Sequence, residues 1–161
     1  MNPPKIIKKD EMKIIGIEAR TTNESERTGA GEIPQLWERY FAEQIPTKIS
    51  AQINPGVTFG LYTDYENGAS GLYSVVIGKE STELEQLPDG MVAKVIPAAT
   101  YMVFTTEKGL ISEVVPKAWT YIWEWFKSSD VRRAFSGDFE WYDARSCDPT
   151  NAEVDIYIAV V

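Results

Sequence analysis

The sequence predicts an α+β fold: a tandem βαββ repeat with pseudo-twofold symmetry, antiparallel sheets, one main helix per half and a central cleft. Three observations predict it. Strand-like and helix-like segments follow in the order strand, helix, strand, strand, and then the same order returns within 161 residues. The two passes align residue by residue. The chain is 43% hydrophobic and 12% aromatic, enough to bury one shared core.

The elements can be justified in order. KIIGIEART (13–21) is rich in β-branched Ile and reads as a strand. TNESERTGAGE (22–32) is polar and reads as a loop. IPQLWERYFAEQ (33–44) places Ile33, Leu36, Trp37 and Tyr40 at i, i+3, i+4 and i+7, one face of a helix. IPTKISAQINPG (45–56) is a loop closed by Pro-Gly. VTFGLYTDY (57–65), the turn ENGASG and LYSVVIG (72–78) form a hairpin. ESTELEQLPDG (80–90) is an acidic connector ending in a turn signal. MVAKVIPAATYMVFTTE (91–107) is a strand region broken near Pro97. A second helix runs from about Ser112 to Lys127 on the stripe Val115, Trp119, Ile122, Trp123 and Phe126. FEWYD (139–143), the loop RSCDPTNA (145–152) and EVDIYIAVV (153–161) close the second half.

The repeat equates IIGIEART (14–21) with TYMVFTTE (100–107) and LWERYF (36–41) with IWEWF (122–126), both at an offset of 86. FGLYTD (59–64) matches FEWYDA (139–144) at 80, and LYSVVIG matches VDIYIAV (154–160) at 82. Loop lengths account for the drift. Two copies are too few for an open solenoid and read as halves closing on each other. The chain is thus one domain, 1–161, with half-repeats at about 5–79 and 91–161 joined by the connector 80–90.

A helix covers one sheet face, so the cleft is expected on the other, between the halves. Strand alternation then sorts side chains. Val154, Ile156, Ile158 and Val160 form a row toward the helix, leaving Asp155 and Tyr157 toward the cleft, with Tyr73 and Val75 as counterparts. Glu140 and Tyr142 share one side of their strand, and Gly60 and Tyr62 share one side of theirs. The candidate ligand-binding set is Glu140, Tyr62, Tyr142, Tyr73, Tyr157, Asp155 and Gly60. The repeat equates Gly60 with Glu140: open space in one half, an acid in the other. Tyr rings around a desolvated carboxylate favour a flat, hydrophobic cation. Each residue has a plainer reading. Glu140 can be a solvated edge residue, the tyrosines core or rim aromatics, and Tyr73, Tyr157 and Asp155 change face with a one-residue register slip. Trp37, Trp119 and Trp123 lie on helix stripes and read as core; Trp125 lies off the stripe. Glu18 either pairs with a basic neighbour or adds a second acid to the pocket.

Composition excludes several chemistries. With 16 Lys and Arg against 24 Asp and Glu, the formal charge is −8, unlike a phosphate-binding surface, so direct nucleic-acid binding is not expected. No His is present, which removes Ser-His and Cys-His catalysis and His-ligated metal sites. The lone Cys147 forms no internal disulfide and no Cys-rich zinc site. No cofactor is expected. The first residues lack an apolar signal region, and no apolar run is long enough for a membrane span, so a cytoplasmic location without membrane contact is expected.

The motifs KIIGIEART (13–21), FGLYTDYENGASGLYSVVIG (59–78), LPDGMVAKVIPAATYMVF (87–104), AWTYIWEWF (118–126) and FEWYDARSCDPTNAEVDIYIAV (139–160) resemble the GyrI-like effector-binding family. The IEART and GLYTDYE segments look most like its stand-alone integron-cassette members. The resemblance implies a non-enzymatic receptor for amphipathic, mainly cationic molecules, as a sensor of drugs or metabolites or as a sequestering protein. It also implies that Glu140 is the residue engaging the positive charge. The twelve residues before the first motif are too few for a helix-turn-helix. Two other functions stay open: a hydrolase of reactive small electrophiles using Glu140 as base, and a module that binds a gyrase or a transcription regulator, with Tyr121 and Trp125 as its exposed patch.

Overall fold

The computed structural model describes residues 1–83 and 85–161. Its strands are β1 (Lys5–Lys9), β2 (Met12–Thr21), β3 (Thr58–Thr63), β4 (Tyr73–Glu80), β5 (Val92–Ile96), β6 (Ala99–Thr105), β7 (Asp138–Tyr142) and β8 (Asp155–Val160). The helices are α1 (Asn23–Arg27), α2 (Ile33–Ala42) and α3 (Ile111–Lys127). Most elements fall where periodicity and turn residues place them; of the segment read as the connector 80–90, Glu80 ends β4, the rest lies between β4 and β5, and Leu84 lies outside the described residues.

Two elements were not expected. β1 is KIIKK, whose lysines mask a short edge strand; such charge is how edges avoid pairing with other chains. α1 lies in the segment read as a loop. Thr22 caps it, its hydroxyl accepting from the Ser25 amide at 3.0 Å.

The expected antiparallel sheets are a single eight-stranded sheet, ordered β1-β6-β8-β7-β3-β4-β2-β5, because β3 and β7 pair with each other. Exchanging the first four strands with the last four reverses this order and leaves it unchanged. The first strand of each set of four pairs within the other set: β1 with β6 and β5 with β2.

That exchange curves the sheet. β1 and β2 are joined only by residues 10–11, and β5 and β6 only by 97–98. In each case the two strands stand six places apart in the sheet. A flat sheet would separate them by about 29 Å. A two-residue link spans only about 11 Å. The ends must therefore roll toward each other, enclosing one face. Phe59, Leu61, Tyr101, Val103, Phe139 and Tyr157 fill that enclosed face.

The opposite face carries both long helices. Leu36 and Tyr40 of α2 pack on Ile15, Ile17, Val75 and Ile77, and Ala118 and Ile122 of α3 pack on Met102, Phe104, Ile156 and Ile158. Fully burying each such Ile contributes about 1.5–3 kcal/mol. The register proves that the two helices share a face: Ile77, Gly60, Glu140 and Ile156 are successive cross-strand partners in one row.

Candidate functional site

This row corrects the expected position of the cleft. Ile77 lies under α2 and Ile156 under α3, so Gly60 and Glu140 sit on the helix-bearing face, in the gap between the helices. The opposite face is consumed by the rolled core. Asp155 and Tyr157 follow that other face, because Tyr157 pairs with Phe139 and Asp155 with Trp141. Tyr157 stacks on Phe139 with ring centroids 4.5 Å apart, and the Lys9 ammonium lies over it at 5.4 Å. Asp155 accepts from the Thr105 hydroxyl at 2.7 Å and from Arg145 at 2.8 Å. Neither belongs to the site. The expectation put the cleft on the face away from the helices; the β7–β8 register, which pairs Glu140 with Ile156, places Glu140 on the helix-bearing face instead.

Glu140 itself is 3% exposed. Its Oε1 accepts from the Tyr142 hydroxyl at 2.5 Å. Its Oε2 accepts from the Tyr62 hydroxyl at 2.9 Å and from the Trp119 indole Nε1 at 2.7 Å. Every donor follows from local structure. Tyr142 lies two residues along the same strand, so alternation returns it to Glu140's side. Tyr62 lies two residues from Gly60 on the paired strand. Trp119 comes down from α3, one turn before Ile122. Trp37 of α2 closes the ring, edge-on to Tyr142 at 4.9 Å. Gly60 leaves the space: a Cβ there would lie 3.1 Å from Glu140 Oε1. Of these two facing positions, Glu140 carries the long side chain and Gly60 none.

Tyr73 shares this face as a wall, its ring 5.7 Å from Tyr62 and 5.9 Å from Tyr65. These rings cover Glu140, while Trp37, Tyr62, Trp119 and Tyr142 each keep part of their own surface exposed. Hollows of about 410 Å³ beside Tyr121 and Trp125 and about 390 Å³ beside Met1 and Thr106 lie elsewhere and do not reach Glu140.

The electrostatics are unusual. Burial raises the Glu140 pKa above its ordinary value, and the donors from Tyr142, Trp119 and Tyr62 oppose this only in part. Burial, with the adjacent carboxylate, pushes Tyr62 and Tyr142 well above the ordinary tyrosine range, which keeps both as O–H donors. Among the described residues no Lys or Arg side chain pairs with Glu140. Asp138, two residues earlier on the same face, provides the contrast: it is fully buried but takes Arg133 at 2.6 Å. One buried acid has an internal cation; the other has only neutral donors.

Other assignments change accordingly. Trp119 and Trp37, read as core, help build the site. The available signal was the indole N–H, which needs a partner when partly buried. Glu18 is not a pocket acid; it pairs with Lys94 at 2.9 Å. Tyr121 and Trp125 are half-buried, packing edge-on to Phe104 at 6.2 and 5.5 Å. Among the described residues no cluster of acidic or Cys side chains suits a metal ion, and no helix is long and apolar enough to cross a membrane.

The family model for integron-associated effector binding proteins matches residues 5–160. YobU of Bacillus subtilis strain 168, named as a transcriptional regulator protein, is 33% identical over 151 residues, covering 94% of this chain and 93% of YobU. The transcriptional regulator BrlR of Pseudomonas aeruginosa is 27% identical over 97% of this chain, which spans only 54% of BrlR. Among solved structures, an integron cassette protein from Vibrio cholerae superposes with a TM-score of 0.78 at 25% identity, covering 99% of this chain and 96% of that one. SAV2435 bound to tetraphenylphosphonium superposes at 0.81 and 16% identity, covering 100% and 94%. The chain belongs to the integron-associated effector-binding family.

Proposed function

We propose that this member of the effector-binding family is a receptor for amphipathic, mainly cationic small molecules, which it senses or sequesters without chemistry. The observation that carries the reading is Glu140: a desolvated carboxylate, ringed by Tyr62, Tyr142, Trp119 and Trp37, with neutral donors and no internal cation. A buried charge without a counter-ion is unstable, and a lipophilic cation entering beside it would relieve that cost while the rings supply area and cation–π attraction. The shared fold of SAV2435, which binds a lipophilic cation, supports the same class of guest. Three donors already occupy most of the about four lone-pair sites of the carboxylate, two on Oε2 and one on Oε1, and hydrogen bonds to the charged form lower its basicity, which favours a receptor over a hydrolase.

In this reading the half-repeats at about 5–79 and 91–161 form one domain in pseudo-twofold relation, and the protein acts in the cytoplasm without contacting nucleic acid itself. Titration with tetraphenylphosphonium, followed by tryptophan fluorescence and calorimetry, tests the proposal against tetraphenylborate as the matched anion. Saturable binding of the cation, lost in Glu140→Gln, is expected. Equal binding of the anion, or no loss in the variant, rejects it.

A further inference from the structure

The second buried acid lies beside the first and is joined to it by aromatic rings. Asp138 Oδ2 accepts from the Tyr65 hydroxyl at 2.5 Å and from Arg133 Nη2 at 2.6 Å, while Oδ1 accepts from the Ala159 amide at 2.8 Å. Tyr65 packs on Tyr73, Tyr73 on Tyr62, and Tyr62 donates to Glu140. Three rings thus run from one carboxylate to the other. Arg133 and Phe135 belong to the connector 128–137 between α3 and β7. The guanidinium lies 4.4 Å from the Phe135 ring and 5.9 Å from that of Tyr65. Phe135 also meets Tyr65 edge-on at 5.2 Å. The connector, from the second half, therefore grips the β3–β4 turn of the first.

That grip is under tension. Phe135 has φ = 53°, a left-handed backbone that costs a non-glycine residue energy. Arg133 Nε is buried without a hydrogen-bond partner among the described residues. Strain held at a contact between two halves is a sign of an element with a second arrangement close in energy. Glu140 is 3% exposed beneath its ring of side chains, so a guest that reaches it must displace at least one of them, and the interior transmits displacement because it is close-packed.

Resting on the receptor reading above, we infer that the Arg133–Asp138–Tyr65 contact is a latch that reports occupancy of the Glu140 site. A guest that moves Tyr62 shifts Tyr73 and Tyr65, withdraws the Tyr65 donor from Asp138 and loosens the connector 128–137. Linkage makes this reciprocal: if binding opens the latch, opening the latch by mutation strengthens binding, by at most the coupling factor.

Hydrogen exchange of the full chain with and without saturating tetraphenylphosphonium tests the latch. The Ala134 amide, bonded to the Ala159 carbonyl at 2.9 Å, is the reporting position. Faster exchange across 128–137 on binding is expected, together with about fivefold tighter binding in Arg133→Gln. Arg133→Lys, which keeps the charge, is expected to stay near the wild-type affinity. If Arg133→Gln does not fold, Tyr65→Phe removes a donor from the same oxygen and is expected to tighten binding likewise. Glu140-dependent binding with unchanged exchange and unchanged affinity in these variants overturns the latch but leaves the receptor. Failure of the wild-type protein to bind the cation overturns both.

Discussion

Gly60 and Glu140 face each other across the β3–β7 pair, and the glycine's missing side chain is the space in which the carboxylate folds. A Cβ on Gly60 would sit 3.1 Å from Oε1 and 3.5 Å from the Tyr142 ring. Gly60→Ala therefore presses on an acid already fixed by three hydrogen bonds. The expected result is a loss of about 1 kcal/mol in urea denaturation, at the low end of overpacking effects, with weaker cation binding in the same preparation.

Glu140 gives a pH dependence whose sign follows from its burial. Its folded-state pKa is raised above the ordinary 4.5, so between the two values the folded protein binds more protons than the unfolded chain. Stability is then fullest below about pH 4.5 as far as this group is concerned, and declines as pH rises through the folded pKa. Glu80, raised mainly by burial, adds in the same direction. Denaturation midpoints measured from pH 4.5 upward are expected to fall less in Glu140→Gln than in the wild-type protein. Parallel profiles would show that burial of Glu140 does not govern this range.

Trp119→Phe keeps an aromatic ring on α3 but removes the indole N–H that serves Glu140 Oε2. A hydrogen bond to a charged group contributes about 1.5–3 kcal/mol, and a loss in that range is expected by denaturation. Trp119→Leu, which removes both ring and donor, is expected to lose more cation affinity than Trp119→Phe.

Asp155→Asn serves as the contrast. Its carboxylate lies on the other face of the sheet, in the Arg145 network with Asp143 and Glu153. Arg145 is 37% exposed, so solvent screens these pairs, and each contributes less than about 1 kcal/mol. Tetraphenylphosphonium affinity is expected to match the wild type within twofold. A large loss would place the binding site on the rolled face and contradict the arrangement described above.

The sequence by itself determined most of the elements, through Ile33, Leu36, Trp37 and Tyr40 at helical spacing and through alternation in FGLYT and FEWYD. It also singled out Glu140 as the candidate acid by setting it against Gly60, and the β3–β7 register pairs those two residues. Tertiary structure alone decided which face of the sheet carries Glu140. Alternation fixes only which residues share a side of a strand; which side meets a helix depends on partners distant in sequence. The pairing of β3 with β7 merged the halves into one sheet, and the two-residue links at 10–11 and 97–98 forced that sheet to roll. Rolling buried Tyr157 behind Glu140 instead of beside it, and the remaining gap drew Trp119 and Trp37 from the helix stripes over the carboxylate. Hydrophobic periodicity cannot distinguish a Trp that fills a core from one that closes a site, since both sit on the same apolar stripe; only the acid beneath the indole N–H tells them apart.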